Sequence, residues 1–278
     1  VLVDGIERDM AQISPKEVES ITVLKDAASL ALYGNRGADG VVVITTKRGG
    51  DHGLRSQIDY NFGVQTPFRI PHMADGYTYA SAVNEALSND GLSPRYTMHD
   101  MRLIAGHMHP QLFPDIDWQA LILRKVAFTH DVNLTFDGKG QRIRYFVYAN
   151  YNSNRGFLNN TEMNDGYSTQ IGMDALKVRS NIEARLTKST VARINLMGRL
   201  MQYQHPSAGT NLSGMYDTPA AAFYPLAPQS EGGGWVRSRL CKNPLADLTS
   251  RGYNTVLQRT LFADLTIDQN LEMITPGL

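Results

Sequence analysis

Between Ile58 and Ile267, apolar residues recur at every second position in six separate stretches, the period of a β-strand with two unlike faces. Ile58, Tyr60, Phe62 and Val64 alternate with Gln57, Asp59, Asn61 and Gln65. Phe128, His130, Val132, Leu134 and Phe136 alternate with Thr129, Asp131, Asn133 and Thr135. In the third stretch Ile143, Tyr145, Val147, Ala149 and Tyr151 alternate with Arg142, Arg144, Asn150 and Asn152, and Phe146 and Tyr148 are aromatic exceptions. The pattern returns at Val178, Ile182, Ala184 and Leu186, at Ala192, Ile194, Leu196 and Leu200, and at Leu257, Leu261, Ala263, Leu265 and Ile267. Asp137-Gly138-Lys139-Gly140-Gln141 and Thr187-Lys188-Ser189-Thr190 read as hairpin turns.

The first 54 residues follow another grammar. Ser14-Pro15-Lys16-Glu17 combines an N-cap serine, proline at the first helical position and a glutamate three residues past the cap, so a short helix is expected there. Ile21-Thr22-Val23-Leu24 is a β-rich strand. Asp26 can cap a second helix through Ala27, Ala28, Leu30, Ala31 and Leu32 that ends at Tyr33-Gly34. The β-branched run Val41-Val42-Val43-Ile44-Thr45-Thr46 predicts a strand buried on both faces. Lys47 to Gly53 closes this small α/β unit as a polar, glycine-containing linker.

Alternation alone also fits a soluble sandwich, so the connections decide. Every second one is a turn of a few residues, whereas Thr66 to Ala127, Ser153 to Leu176 and Gln202 to Thr255 are long. Short turns at one end and long loops at the other are the arrangement of outer-membrane β-barrels. Arg179, Glu183, Arg185, Arg193 and Arg199 share the polar face of their strands, which fits a wide aqueous lumen and not a sandwich core.

Composition changes this picture little. With 27 basic and 27 acidic residues the formal net charge is zero, which provides no electrostatic footprint for nucleic acid. Mean hydropathy of −0.29 is too polar for helical membrane spans and says nothing against strands. The single Cys241 excludes an internal disulfide and a multi-thiolate zinc site. The chain opens mid-pattern at Val1-Leu2-Val3-Asp4-Gly5 and stops just after Pro276-Gly277, so both ends are expected to be truncations. No nucleophile elbow, paired-carboxylate signature or H-E-x-x-H supports catalysis, and Gly232-Gly233-Gly234 lacks the Lys-Ser/Thr of a phosphate loop. His107 and His109 form an H-x-H pair without further candidate ligands, so no metal or other cofactor is expected.

Val3-Asp4-Gly5, Ile13-Ser14-Pro15, the run from Val18 to Ala28, Leu32 to Val41 and Ile44-Thr45-Thr46-Lys47 together resemble the plug signature of the SusC/RagA family, TonB-linked porins of the Bacteroidota outer membrane. Lys25 and Asp26, then Tyr33, Gly34, Arg36, Gly37 and Gly40, then Thr45, Thr46 and Lys47 carry that signature. The resemblance implies an α+β plug fragment followed by antiparallel transmembrane β-barrel strands, about six of a large plugged barrel. Residues 1–54 would be the C-terminal part of the plug, and 55–278 the first part of the barrel with its long extracellular loops. It further implies energised import of a glycan or oligopeptide across the outer membrane, with a SusD-like surface lipoprotein and with TonB, whose docking segment has no counterpart here. A non-transporting surface receptor or adhesin on the same scaffold is the rival reading.

Two amphipathic patterns in the first long loop, Tyr77, Ala80, Val83, Asn84 and Leu87, and then Trp118, Leu121, Ile122 and Leu123, predict helices that pack the loop onto the barrel mouth. In the third loop Tyr216, Phe223, Tyr224 and Trp235 offer flat apolar faces with polar edges. Tyr216, Tyr224 and Trp235 are therefore candidate ligand contacts, with packing or a membrane-interface girdle as the alternatives.

Overall fold

The computed structural model describes residues 1–37, 39–164, 166–209 and 212–271. Ala38 and the side chains of Ala11, Ala27, Asn35 and Arg36 lie outside the described residues, as do Pro276 and Gly277 at the expected truncation.

The first 46 residues build a four-stranded sheet. Strand β1 (Leu2–Val3) turns through Asp4-Gly5 into β2 (Ile6–Glu7), with φ of 49° and 85° at the two turn residues. Both left-handed values are those of a type I′ hairpin, which Asp-Gly suits. The capping box at Ser14 forms, with Ser14 N donating to Glu17 Oε1 at 3.0 Å, but it closes only a 3-10 turn over Pro15–Glu17. Val18 is already extended because it opens β3 (Val18–Leu24), which pairs with β4 (Val41–Thr46). Between these strands Asp26 Oδ2 accepts from Ser29 N at 2.8 Å and starts α1 (Ala27–Leu30). The helix then tightens into 3-10 geometry as far as Gly37 rather than stopping at Tyr33-Gly34, and bends at Gly34, where φ is 54° and ψ −141°. That backbone region belongs to glycine.

β4 lies between β1, which runs parallel to it, and antiparallel β3. Val41, Ile44 and Thr46 are buried, while Val42, Val43 and Thr45 are half-buried. The expected burial on both faces is thus partial on each: half-buried Val42 shares one side with Ile44 and Thr46, and half-buried Val43 and Thr45 share the other with Val41.

The second sheet is a curtain of six antiparallel strands in chain order: β5 (Arg55–Gln65), β6 (Ala127–Lys139), β7 (Ile143–Arg155), β8 (Gly172–Arg185), β9 (Thr190–Pro206) and β10 (Tyr253–Gln269). Short turns at 140–142 and 186–189 lie at one end, and connections 66–126, 156–171 and 207–252 at the other. The second and third long loops are shorter than expected because β7, β8, β9 and β10 extend beyond their apolar alternation.

Register sets the outward-facing residues in rows. From the short-turn end upward, the rows through Ile267, Leu265, Ala263, Leu261 and Arg259 carry no polar or charged side chain on the strands that they cross other than Ser180, Ser56, Arg259 and the tyrosine hydroxyls. The next row up reads Phe62, His130, Ser153, Asp174, Gln202 and Leu257, and is polar on β7, β8 and β9. Two residues of tilted strand rise about 5 Å, so five rows make a band of about 25 Å, the height of the apolar belt of an outer-membrane barrel. Phe146 and Tyr148, which break the alternation of β7, point inward and are buried at 1% exposure each.

The long loops carry α2 (Gly76–Asn89), α3 (Met98–Ala105), α4 (Trp118–Ile122), α5 (Gly214–Asp217) and α6 (Pro244–Thr249). The first and third of these are the two expected segments, α2 on the Tyr77 pattern and α4 on the Trp118 pattern, whereas α3, α5 and α6 lie outside those patterns, although Thr97 and Asp100 form a capping box at the start of α3.

Candidate functional site

The small sheet sits against the inner face of the curtain, and the contact is made of charge. Glu17, with no exposed surface, is its centre. One carboxylate oxygen, Oε1, accepts from Ser14 N and from Lys177 Nζ of β8, and Oε2 accepts from Arg179 Nε at 2.5 Å. Lys177 also donates to the carbonyl of Gln12. Arg179 is fully buried and its Nη1 lies 3.8 Å from Asp4 Oδ2. The hairpin conformation at Asp4 turns its carboxylate onto Thr46, accepting from Thr46 N at 2.9 Å and from Thr46 Oγ1 at 2.7 Å.

Asn181, two residues beyond Arg179 on the same face, donates to Thr46 Oγ1 and to the Lys47 carbonyl, both at 2.8 Å. Tyr148 OH donates to Asn133 Oδ1 at 2.6 Å and lies 3.1 Å from Ser14 Oγ. At the flanks Lys16 Nζ meets Asp59 Oδ2 at 2.7 Å, and Arg8 lies 3.6 Å from Asp264 with its guanidinium 4.4 Å from the Phe262 ring centre. Burial, and then the like charge of Arg179, pull the Arg8 guanidinium below its usual pKa, while Asp264 and Asp4 oppose the shift. It stays protonated, as arginine does in proteins.

These facts correct one expectation. Arg179 does not face an aqueous lumen: the small sheet covers it completely, and it tolerates burial because two carboxylates from that sheet reach it. Glu183, Arg193 and Arg199 are partly covered, and Arg185 is exposed.

The signature residues divide by task. Asp26, Gly34, Gly37 and Gly40 shape the turn between β3 and β4: a Cβ on Gly37 would press on Tyr33 Cβ at 3.2 Å and Leu30 O at 3.3 Å, and Gly40 has φ of 94°. Thr46 and Lys47 join the contact with the curtain. Lys25 is exposed, Tyr33 and Thr45 are half-buried, and the Arg36 side chain is outside the described residues. Sequence reasoning missed Asp4, Glu17, Lys177, Arg179 and Asn181 as one cluster. The nearest signal was the lone acid at the third position of the capping box.

At the opposite end the three long loops share an apolar core of Ile116, Trp118, Ile122, Leu158, Met215, Leu245 and Leu248. Tyr216, Tyr224 and Trp235 are half-buried and pack against this core, as does Phe223, which meets Trp118 edge-on at 5.4 Å. Tyr216 also lines a groove of about 720 Å³ with Tyr79, Trp118, Asp75, Asp115 and Asp117. The three acids cap backbone: Asp75 accepts from Thr78 N, Asp115 from Gly76 N and Asp117 from Ala120 N. The Thr78 hydrogen bonds hold the Asp75 carboxyl below the usual carboxylate range. His107 pairs with Asp115 at 3.4 Å, and among the described residues no three His, Cys, Asp or Glu side chains gather as a metal site.

No family model matches the chain. It is 27% identical over 190 residues to TonB-dependent receptor P26 of Formosa agariphila, covering 67% of this chain and 17% of that protein. It is 27% identical over 157 residues to TonB-dependent receptor SusC of Bacteroides thetaiotaomicron, covering 56% of this chain and 14% of that one. In fold it is similar to the RagAB peptide importer in its open-open state, with a TM-score of 0.65 and 19% identity over 97% of this chain and 32% of that one. The chain therefore spans a small part of the length of the relatives that it matches.

Proposed function

We propose that this chain, a SusC/RagA-like portion of a TonB-linked outer-membrane barrel with its plug, belongs to a complete protein that imports an oligomeric nutrient, a glycan or an oligopeptide, with work supplied through TonB. Residues 1–54 are its plug portion and 55–278 its first barrel strands. A SusD-like surface lipoprotein caps the long loops, and the groove beside Tyr216 lies on the side from which a ligand arrives. Tyr216 is the aromatic best placed to meet it, with Tyr224 and Trp235 behind it in the loop core. The role is transport and not catalysis.

The observation that carries this reading is the Glu17, Lys177 and Arg179 cluster. A plug that only sealed a scaffold could be held by apolar packing, which is lost outright when the surfaces part. Charges regain hydration when water enters, so a polar contact lowers the cost of separation and suits a plug that must leave its seat. The rival receptor or adhesin needs no such release.

Deleting the gene, or that of a neighbouring lipoprotein, and following growth on candidate glycans and peptides tests the proposal. Loss of growth on one oligomer and co-purification of the two proteins are expected. Normal growth on every candidate, with no co-purifying lipoprotein, would favour the receptor.

A further inference from the structure

Arg259 stands in the outward set of β10 between Leu257 and Leu261, on a face that is otherwise apolar at its level. Its row reads Tyr60, Val132, Tyr151, Leu176, Leu200 and Arg259, the uppermost of the apolar band on the long-loop side. The side chain is exposed, and among the described residues no carboxylate pairs with it. An arginine at this depth keeps its stem along apolar surface and lifts the guanidinium to the polar boundary.

Directly below, Gly198 interrupts the wall. It faces outward between Val178 and Leu261, and a Cβ built there meets nothing within 4 Å. The missing side chain leaves a groove of about 340 Å³ walled by Leu176, Val178, Leu200 and Leu261, with Arg259 at its mouth. Above the mouth the wall becomes polar at Asp174 and Gln202, and Arg155 already neutralises Asp174 through contacts at 2.9 and 3.2 Å. Among the described residues Arg259 is therefore the charge without an acidic partner at an apolar slot that opens toward the outer leaflet.

We propose that this slot seats one outer-leaflet glycolipid, with an acyl chain along Gly198 and a phosphate of its sugar headgroup on Arg259. Charge selects the headgroup: a guanidinium binds a phosphate with two parallel hydrogen bonds, and a zwitterionic headgroup offsets that attraction with its own ammonium. Position selects the leaflet, because the slot ends at the boundary beneath the long loops. The site depends on the protein lying in the outer membrane and is independent of what it imports.

The test uses the complete protein, delipidated in detergent and titrated with diphosphorylated lipid A, its dephosphorylated form or phosphatidylethanolamine, with bound lipid counted by native mass spectrometry. Arg259→Gln should weaken retention of the phosphorylated lipid roughly tenfold, the scale of one charge-assisted hydrogen bond, and leave the dephosphorylated form unaffected. Gly198→Leu, which has room for its side chain, should weaken both glycolipids. Heat-modifiable migration on a gel confirms that each variant is folded. Unchanged retention in either variant, or equal retention of phosphatidylethanolamine and diphosphorylated lipid A by the unmodified protein, would overturn the proposal.

Discussion

The contact between plug and wall and the core beneath the long loops are both closed to water, yet they are made of different chemistry. The first buries Glu17, Asp4, Lys177 and Arg179 beside Thr46 and Asn181. The second buries Trp118, Ile122, Leu158 and Leu245, with polar groups at its margin, such as Trp118 Nε1 donating to the Pro219 carbonyl at 3.2 Å. Apolar packing is non-directional and tolerates small shifts, which suits loops that must hold one another in place. A charge cluster is bistable by comparison. Complete, its charges are paired, while Arg179 Nη1 and Nη2 stay buried without a hydrogen-bond partner among the described residues; with one member withdrawn, the others are stranded.

Removing one charge should therefore have the largest effect. Glu17→Gln leaves Lys177 and Arg179 buried without their shared carboxylate and should destabilise plug seating by about 3–5 kcal/mol, read as faster amide exchange in β3 and β4 of the complete protein. Combining it with Arg179→Met should restore part of the protection, since an apolar side chain needs no partner. Exchange unchanged by the single substitution would erase the contrast between the regions.

In the loop core, Leu248→Ala should cost roughly 2–4 kcal/mol through the cavity it leaves. Its exchange signature should be confined to α4, α5 and α6, and spread into β3 would mean that the two regions are coupled. Thr46→Val keeps the shape but removes the hydroxyl that donates to Asp4 and accepts from Asn181. A loss of roughly 1–2 kcal/mol in plug seating is expected, detectable by the same exchange measurement, and no loss would mean that Asp4 and Asn181 find other partners.

The smallest effect concerns the linker. The hydrogen bond from Lys139, and then the charges of Arg144 and Lys139, hold the Asp51 carboxyl below the usual carboxylate range. Its folded pKa is thus lower than its unfolded value of about 3.9, so the tether is present above that value and lost as pH falls through the folded pKa. The side-chain NMR resonances of Lys139 and Arg144 should report loss of the tether only below about pH 4, whereas Asp51→Asn should shift them at pH 7.

The strands were legible because a wall between lipid and a polar interior imposes period two on every segment that crosses it. Their upper ends were not. Asn152 to Arg155 and Gln202 to Pro206 stand above the apolar band, where both faces are polar and the ladder continues without alternation. The glycines and Asp26 of the signature announced a turn through local backbone demands. The cluster around Glu17 was hidden for the opposite reason: Arg179 lies 162 positions away, and no local pattern encodes a pairing at that distance. Glu17 was visible only as a cap, the lesser of its two tasks. The third-loop aromatics were ambiguous because a ring that stacks on a ligand and one that fills a loop core have the same composition.

The placement of Asp4 also has a mechanical consequence. It sits at the end of the two-residue β1, ahead of Glu17 along the chain, and holds Thr46 and Arg179 from there. Tension arriving from the Val1 side would peel β1 from β4 and carry Asp4 away before force reached Glu17. Contacts broken in succession yield at a lower peak force than contacts sheared together, so stretching a single seated plug from that side should trace two successive ruptures, the first abolished by Asp4→Ala.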